Sequence, residues 1–182
     1  MTARSLFARA DSAEQRMCRM ANGLSRRNRV RRFFRIISRL GDGIVWYAVI
    51  VALPFVMGLD RLREGLAASA HMLIAGAFGL VTYKLLKSKL VRERPFISFD
   101  AIECAMPPLD RYSFPSGHTL HAVLFTSIAI VYAPALAPLL APLVALIALS
   151  RVVLGLHYPS DVLVGAFLGW LIARTSWAVV AL

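Results

Sequence analysis

Apolar residues recur along this chain in two rhythms. Over the first forty positions they fall three and four residues apart. From Leu6 to Leu24, the residues Leu6, Ala10, Ala13, Met17 and Met20 make one face of a helix, with Arg9, Arg16 and Arg19 on its other sides. Asn22-Gly23 supplies a stop. A second amphipathic helix is predicted from Ser25 to Leu40. Val30, Phe33, Phe34 and Ile37 share one face, and Arg27, Arg31, Arg35 and Arg39 line another at four-residue spacing. Like charges so placed repel by a few tenths of a kcal/mol per pair, roughly. Anionic lipid headgroups would relieve that repulsion, and a face merely bathed in solvent is the alternative.

After Gly41-Asp42-Gly43 the rhythm gives way to continuous apolar runs. They cover Ile44–Gly58, Leu66–Leu86, Thr119–Tyr132, Leu139–Leu149, and Val162 to the C-terminus. A bilayer needs about 20 apolar residues per helix, so the first run is short unless its flanks extend it. Trp46 and Tyr47 suit an interface. The second run is rich in Ala and Gly, and Gly165 with Gly169 forms a G-x-x-x-G pair, both suited to close helix contact. The expected fold is all-α: a bundle of about five transmembrane helices preceded by Arg-rich interfacial helices. It divides into a basic membrane-surface segment, 1–42, and a transmembrane domain, 43–182.

Composition agrees. The 182 residues are 58% hydrophobic and 17% charged, far from a soluble domain. A net charge of +11 raises nucleic acid as a partner, but its distribution argues against it. Eleven Arg stand against Asp11 and Glu14 in residues 1–40, while the remainder is nearly balanced. That asymmetry marks a membrane-surface segment. Cys18 and Cys104 support neither a disulfide framework nor a zinc site. No secretory signal is visible, although the acid-poor, Arg-rich start also resembles a transit peptide.

Two polar stretches interrupt the apolar pattern. Between the second and third runs, a loop from Lys87 to Phe114 carries Lys87, Lys89, Arg92, Arg94 and Arg111 and ends in Pro115-Ser116-Gly117-His118. Between the fourth and fifth runs stands Ser150-Arg151, then His157 and Asp161. Ionisable groups at a membrane edge default to a functional reading. Asp161, four residues after His157, can fix the imidazole tautomer and free the other nitrogen for attack; a structural His at a helix start is the bland alternative. Two crossings separate the stretches, so both fall on one membrane face. Lys87, Arg94 and Arg151 can therefore surround one multiply charged anion, for which phosphate is the obvious candidate. If Ser116-Gly117-His118 opens a helix, its free N–H groups add to such a site, with the Ser116 hydroxyl as a donor and Gly117 allowing close approach. A plain Ser N-cap would explain the turn but not His118. His71 is read as a packing residue, and so is His121, one turn beyond His118, with lining of the substrate entrance as its alternative.

In these segments the chain resembles the type 2 phosphatidic acid phosphatase superfamily, which embraces membrane lipid phosphate phosphatases, soluble acid phosphatases and vanadium haloperoxidases. The K-x6-R-P motif is matched by Lys87 through Arg94-Pro95, P-S-G-H by Pro115–His118, and S-R-x5-H-x3-D by Ser150-Arg151, His157 and Asp161. The resemblance runs from Ile44 to the C-terminus. It implies that His157 attacks phosphorus, oriented by Asp161, and that His118 protonates the leaving group and then activates water. Lys87, Arg94, Ser116, Gly117 and Arg151 would hold the phosphoryl oxygens. It implies no metal and no other cofactor, and a lipid phosphate substrate: a polyprenyl phosphate or diphosphate, phosphatidic acid, phosphatidylglycerophosphate or a phosphorylated lipid glycan. A phosphotransferase would carry the same motifs and differ only in its acceptor. The positive-inside rule places the Arg-rich N-terminus, and with it the site, on the cytoplasmic face of the inner membrane.

Overall fold

The computed structural model describes the backbone of residues 3–180 and the side chains of residues 12–178. Among the described residues the chain is helical and contains no strand. The elements are α1 (Ala3–Leu24), α2 (Asn28–Leu40), α3 (Ile44–Val56), α4 (Leu62–Lys89), the single turn α5 (Pro95–Ser98), α6 (Gly117–Tyr132), α7 (Ala137–Val153) and α8 (Pro159–Val180). Each apolar run thus lies within a helix or overlaps one. Two helical stretches, Leu59–Lys89 and Pro134–Val153, are long and apolar enough to cross a membrane. α2 and α3, bent by 49° at their junction, pass the same test as a pair, and α6 is a shorter apolar helix.

Helix α6 is the centre of the bundle, with α8, α4, α7 and α3 packed around it. Its Leu120, Ala122, Leu124, Ile128 and Ala129 are buried, and so are Trp46, Leu53 and Met72 from the neighbouring helices. The outer surface is not polar. Ile44, Val51 and Phe55 of α3, Ile74, Phe78 and Val81 of α4, and Leu163 and Phe167 of α8 are all exposed. Side chains of this size facing outward on several helices mark a surface solvated by lipid rather than water. In the helical interior Trp46 Nε1, Thr126 Oγ1 and Trp177 Nε1 have no partner among the described residues, while some other polar groups are paired. His71, for example, bridges Tyr132 Oη (3.2 Å) and Ser176 Oγ (2.8 Å), the packing role expected of it.

The glycine pair does what its spacing predicts. A Cβ at Gly165 would come within 2.5 Å of the Ser116 carbonyl oxygen, and one at Gly169 would collide with that of Leu120. Only glycine permits α8 to lie this close to the backbone of α6, and that contact fixes Asp161 beside Pro115–His118.

The amphipathic helices differ from expectation in the faces they bury. In α1 the inward residues are Cys18 and Asn22, whereas Met17 and Met20 are exposed. The reason is polar: Asn22 donates to the carbonyls of Glu103 and Val153 and accepts from the Glu103 N–H, and these bonds set the helix's rotation. The side chains of Leu6, Arg9 and Ala10 lie outside the described residues. In α2, Phe34 and Ile37 are buried as expected, but Phe33 is exposed. Its arginine row is split. Arg31 pairs with Glu103 at 2.7 Å and Arg35 donates to the Ala105 carbonyl, while Arg27 and Arg39 remain exposed. Both helices pack on α7, so the basic segment is docked against the bundle.

Candidate active site

All the candidate residues collect at one end of the bundle, because α4 and α7 end there and α6 and α8 begin there. Lys87 was expected at the start of a loop; α4 continues through it and presents it from its last turn. Arg151 occupies the last turn of α7, and Asp161 the first turn of α8. Between them the chain reverses at Gly155, whose φ of 77° is a left-handed conformation suited to glycine. The Leu156 and His157 N–H groups both return to the Arg151 carbonyl, at 3.0 and 3.1 Å, so the loop is wound around the arginine.

His157 is 2% exposed and Asp161 is fully buried. Arg94 Nη1 lies 3.3 Å from His157 Nε2. A guanidinium can only donate, so Nε2 must offer its lone pair and Nδ1 must carry the proton. That proton faces Asp161 Oδ2 at 3.5 Å, an electrostatic contact longer than a formed hydrogen bond. Burial pushes the His157 pKa well below the ordinary imidazole value, and the charges of Arg151, Arg94 and Lys87 push it the same way. The ring is therefore a free base with its nucleophilic nitrogen turned toward the cations.

Those cations are themselves nearly buried: Arg94 is 1%, Arg151 2% and Lys87 8% exposed. Arg94 is braced by the Leu156 and Asp110 carbonyls, and Arg151 Nη1 donates to Ser38 Oγ. Arg151 Nε has no partner among the described residues and is a donor available to an oxyanion. Sequence reasoning missed the counter-charge. Asp110 Oδ1 pairs with both Lys87 and Arg94 at 2.7 Å, and Tyr83 donates to Oδ2. Burial alone would raise the Asp110 pKa, but hydrogen bonds from Lys87 and Tyr83 outweigh it and hold the carboxyl below its ordinary value. Nothing in the spacing of a loop aspartate signals this.

The Pro115–His118 turn follows a cis Phe114–Pro115 bond and opens α6. Ser116 stands at the N-cap position without capping. Its hydroxyl is shared with Thr119 at 3.0 Å, and its N–H donates to the Asp161 carbonyl. Gly117 lies against the Tyr83 ring, where a Cβ would approach Cε2 to 2.7 Å. His118 Nε2 lies 2.5 Å from Asp42 Oδ1 in the turn between α2 and α3. The sequence marks that turn only as a break, although an acid flanked by two glycines at the start of an apolar run was a usable signal. His121 bonds back to the Gly117 carbonyl at 2.9 Å and also lines the cavity beside His118.

Two more residues were passed over. Arg92 stacks on the Tyr158 ring at 3.8 Å and donates to Asp161 Oδ1 (2.8 Å), Ser160 Oγ (2.7 Å) and Glu14 Oε2 (2.7 Å). Glu14 Oε1 in turn accepts from the Ser160 N–H at 2.7 Å. The N-terminal helix is thereby tied to Asp161, the carboxylate that faces His157. Beside His118 an apolar cavity of about 390 Å³ opens between α3, α4 and α6, lined by Trp46, Ile50, Leu73, Ala77, Leu80 and Phe125 among others.

Comparison with known proteins follows the same pattern. The family model described as PAP2 superfamily matches residues 67–182. The chain is 35% identical over 136 residues, 74% of this chain and 72% of the relative, to decaprenylphosphoryl-5-phosphoribose phosphatase of Mycobacterium tuberculosis. It is 28% identical over 159 residues, covering 78% and 68%, to lipid A 1-phosphatase of Rhizobium etli. Among solved structures it is similar to the transmembrane PAP2 type phosphatidylglycerolphosphate phosphatase of Bacillus subtilis. There the TM-score is 0.71 at 26% identity, covering 93% of this chain and 85% of that one.

Proposed function

The chain belongs to the PAP2 superfamily, and on that premise we propose that it is a membrane phosphatase hydrolysing a polyprenyl-type lipid phosphate through a phosphohistidine at His157. One observation carries the reading. A neutral, fully enclosed imidazole, its Nε2 lone pair facing a buried guanidinium, stands among Lys87, Arg94 and Arg151 at the end of the bundle where an apolar cavity opens.

The chemistry follows from the residues. Lys87, Arg94 and Arg151, with the Gly117 N–H at the start of α6, neutralise the phosphoryl oxygens as charge builds in the transition state. The charge that a metal ion would otherwise bring is supplied by the side chains, so the reaction is metal-independent. His157 Nε2 bonds to phosphorus while Asp161 faces the Nδ1 proton, and His118 serves the leaving oxygen and then water. Ser116 braces the site, its N–H donating to the Asp161 carbonyl and its hydroxyl shared with Thr119. The lipid chain occupies the cavity beside His118, on the leaving-group side. Its aromatic and aliphatic lining accepts one slender chain, and the relative of highest identity among those named is a decaprenylphosphoryl-5-phosphoribose phosphatase.

We place α3, α4, α6, α7 and α8 across the inner membrane, making five crossings. The site then shares a face with the Arg-rich helices, because Glu14 and Ser38 touch Arg92, Ser160 and Arg151. Whichever side holds the eleven arginines holds the site, and the positive-inside rule makes that the cytoplasm. Arg16, Arg19, Arg26, Arg27, Arg29, Arg32 and Arg39 are exposed and available to anionic headgroups. A reporter fused after Leu182 should read as periplasmic, and a cytoplasmic readout overturns the five-crossing arrangement. For the activity, the detergent-purified chain is assayed for phosphate release from a panel of lipid phosphates with chelator present, beside His157→Ala. Release that survives chelation and disappears in the variant is expected. Dependence on added metal, or a fully active variant, refutes the mechanism.

A further inference from the structure

Asp42 is a carboxylic acid beside His118 to which the mechanism above gives no task. It stands in the turn between α2 and α3, outside the three motifs and outside residues 67–182. The turn is shaped for its approach to His118. Gly43 adopts a φ of 129°, which only glycine takes readily, and a Cβ at Gly41 would meet Ile147 Cγ2 at 3.1 Å and His118 Cδ2 at 3.3 Å. The bare backbone therefore passes against the imidazole and delivers the carboxylate 2.5 Å from Nε2. With Nε2 so engaged, His118 Nδ1, which makes no hydrogen bond among the described residues, is the nitrogen left for the reaction. Ser38, four residues earlier, accepts from Arg151, so the same short segment braces two members of the site.

We propose that Asp42 is a positioning residue for acid–base chemistry, forming with His118 a second carboxylate–imidazole pair that turns Nδ1 toward the leaving oxygen. The inference rests on the phosphohistidine reading. As His157 Nε2 bonds to phosphorus, the ester P–O bond breaks and its electron pair stays on the leaving oxygen. The proton on His118 Nδ1 moves to that oxygen, while the Nε2 proton stays in the bond to Asp42. In the second step water bonds to phosphorus and gives a proton to Nδ1, and the P–N pair returns to His157. In the first step His118 carries both protons, and the Asp42 carboxylate at 2.5 Å is the counter-charge to that imidazolium.

The test is dependence on the leaving group, measured on the full chain in detergent with dodecyl phosphate and p-nitrophenyl phosphate. An alkoxide cannot depart without a proton, whereas p-nitrophenolate can. Asp42→Asn should lower kcat/KM for dodecyl phosphate about 100-fold, the size of a general acid's contribution, and lower it far less for p-nitrophenyl phosphate. Asp42→Glu should restore much of the loss. His118→Ala should show the same pattern, and the double variant should be no worse than His118→Ala alone, as for two residues acting as one unit. Equal losses on both substrates would mean that Asp42 merely holds the turn together and would overturn the proposal. An undiminished or faster reaction with dodecyl phosphate would overturn it too. A wild-type chain inactive on both substrates would sink the reading of the site itself, and the Asp42 pair with it.

Discussion

Replacing Arg92 by Ala tests whether His157, the proposed nucleophile, depends on a residue that no motif names. The side chain makes three charge-assisted contacts, to Asp161, Ser160 and Glu14, and covers the Tyr158 ring. The decisive one is to Asp161, whose carboxylate is fully buried and, if the guanidinium is lost, keeps its bonds from the Tyr158 N–H (2.9 Å) and the Ser113 hydroxyl and the approach of His157. Stranding a charge in a fully buried pair costs about 3–5 kcal/mol, and losing one hydrogen bond to a charged group costs about 1.5–3 kcal/mol. Arg92 itself is 30% exposed, so water can enter where it stood, and the lower range applies. A loss of about 2–3 kcal/mol corresponds to roughly 30- to 150-fold in kcat/KM.

The assay is phosphate release by the purified full chain, with thermal unfolding followed in parallel through tryptophan fluorescence. Arg92→Lys keeps a charge but cannot reach Asp161 and Glu14 with separate nitrogens, so it should recover only part of the rate. Glu14→Gln, one contact further out, should lose less than Arg92→Ala. Arg92→Ala within threefold of wild type, while Asp161→Asn is strongly impaired, would refute the reasoning: Asp161 would then hold its place without the arginine.

Three further outcomes are expected. Because burial and the cations hold the His157 pKa well below the ordinary imidazole value, kcat/KM should stay level as pH falls through that range and drop only at more acidic pH. Lys87→Met removes a positive neighbour and should move the acid limb to higher pH; a limb that stays or moves lower refutes the sign. The same depression makes His157 contribute a stability that is lost as pH falls below the unfolded imidazole's pKa of about 6.5. Burial pushes the Cys18 thiol up to about 12, whereas Cys104 is exposed, so maleimide at neutral pH should add one label to the folded chain by mass spectrometry and two after denaturation. Gly169→Ala drives a methyl into the Leu120 carbonyl and should destabilise by about 1–3 kcal/mol, read as a lower unfolding temperature; an unchanged temperature would mean that α8 does not rest on α6 as described.

The residues that gather at the candidate site were legible in the sequence because their chemistry is expensive at a membrane edge. His157, Asp161, Arg151 and His118 interrupt apolar runs, and their spacing is fixed by the local turns that carry them. The helices were legible for a related reason, since apolar runs of this length have few other solutions. What stayed hidden was long-range. Asp42 reaches His118 across 76 positions, Glu14 reaches Ser160 across 146, and Asp110 lands on Lys87 only because the 90–116 loop folds back over the end of α4. An acid in a turn looks the same in sequence whether it faces water or a histidine. The rotation of α1 was misjudged on the same ground. Periodicity favoured Met17 and Met20, yet Asn22 found three backbone partners in other segments and carried Cys18 inward with it. Apolar periodicity describes what a helix would bury against a featureless surface. Here the surface was a loop with unpaired carbonyls, and satisfying buried backbone groups outweighed hiding two methionines that lipid can equally well accept. The arginine row of α2 divides for the same reason. Arg31 and Arg35 bond to the loop, whereas Arg27 and Arg39 are exposed and make no such bond among the described residues.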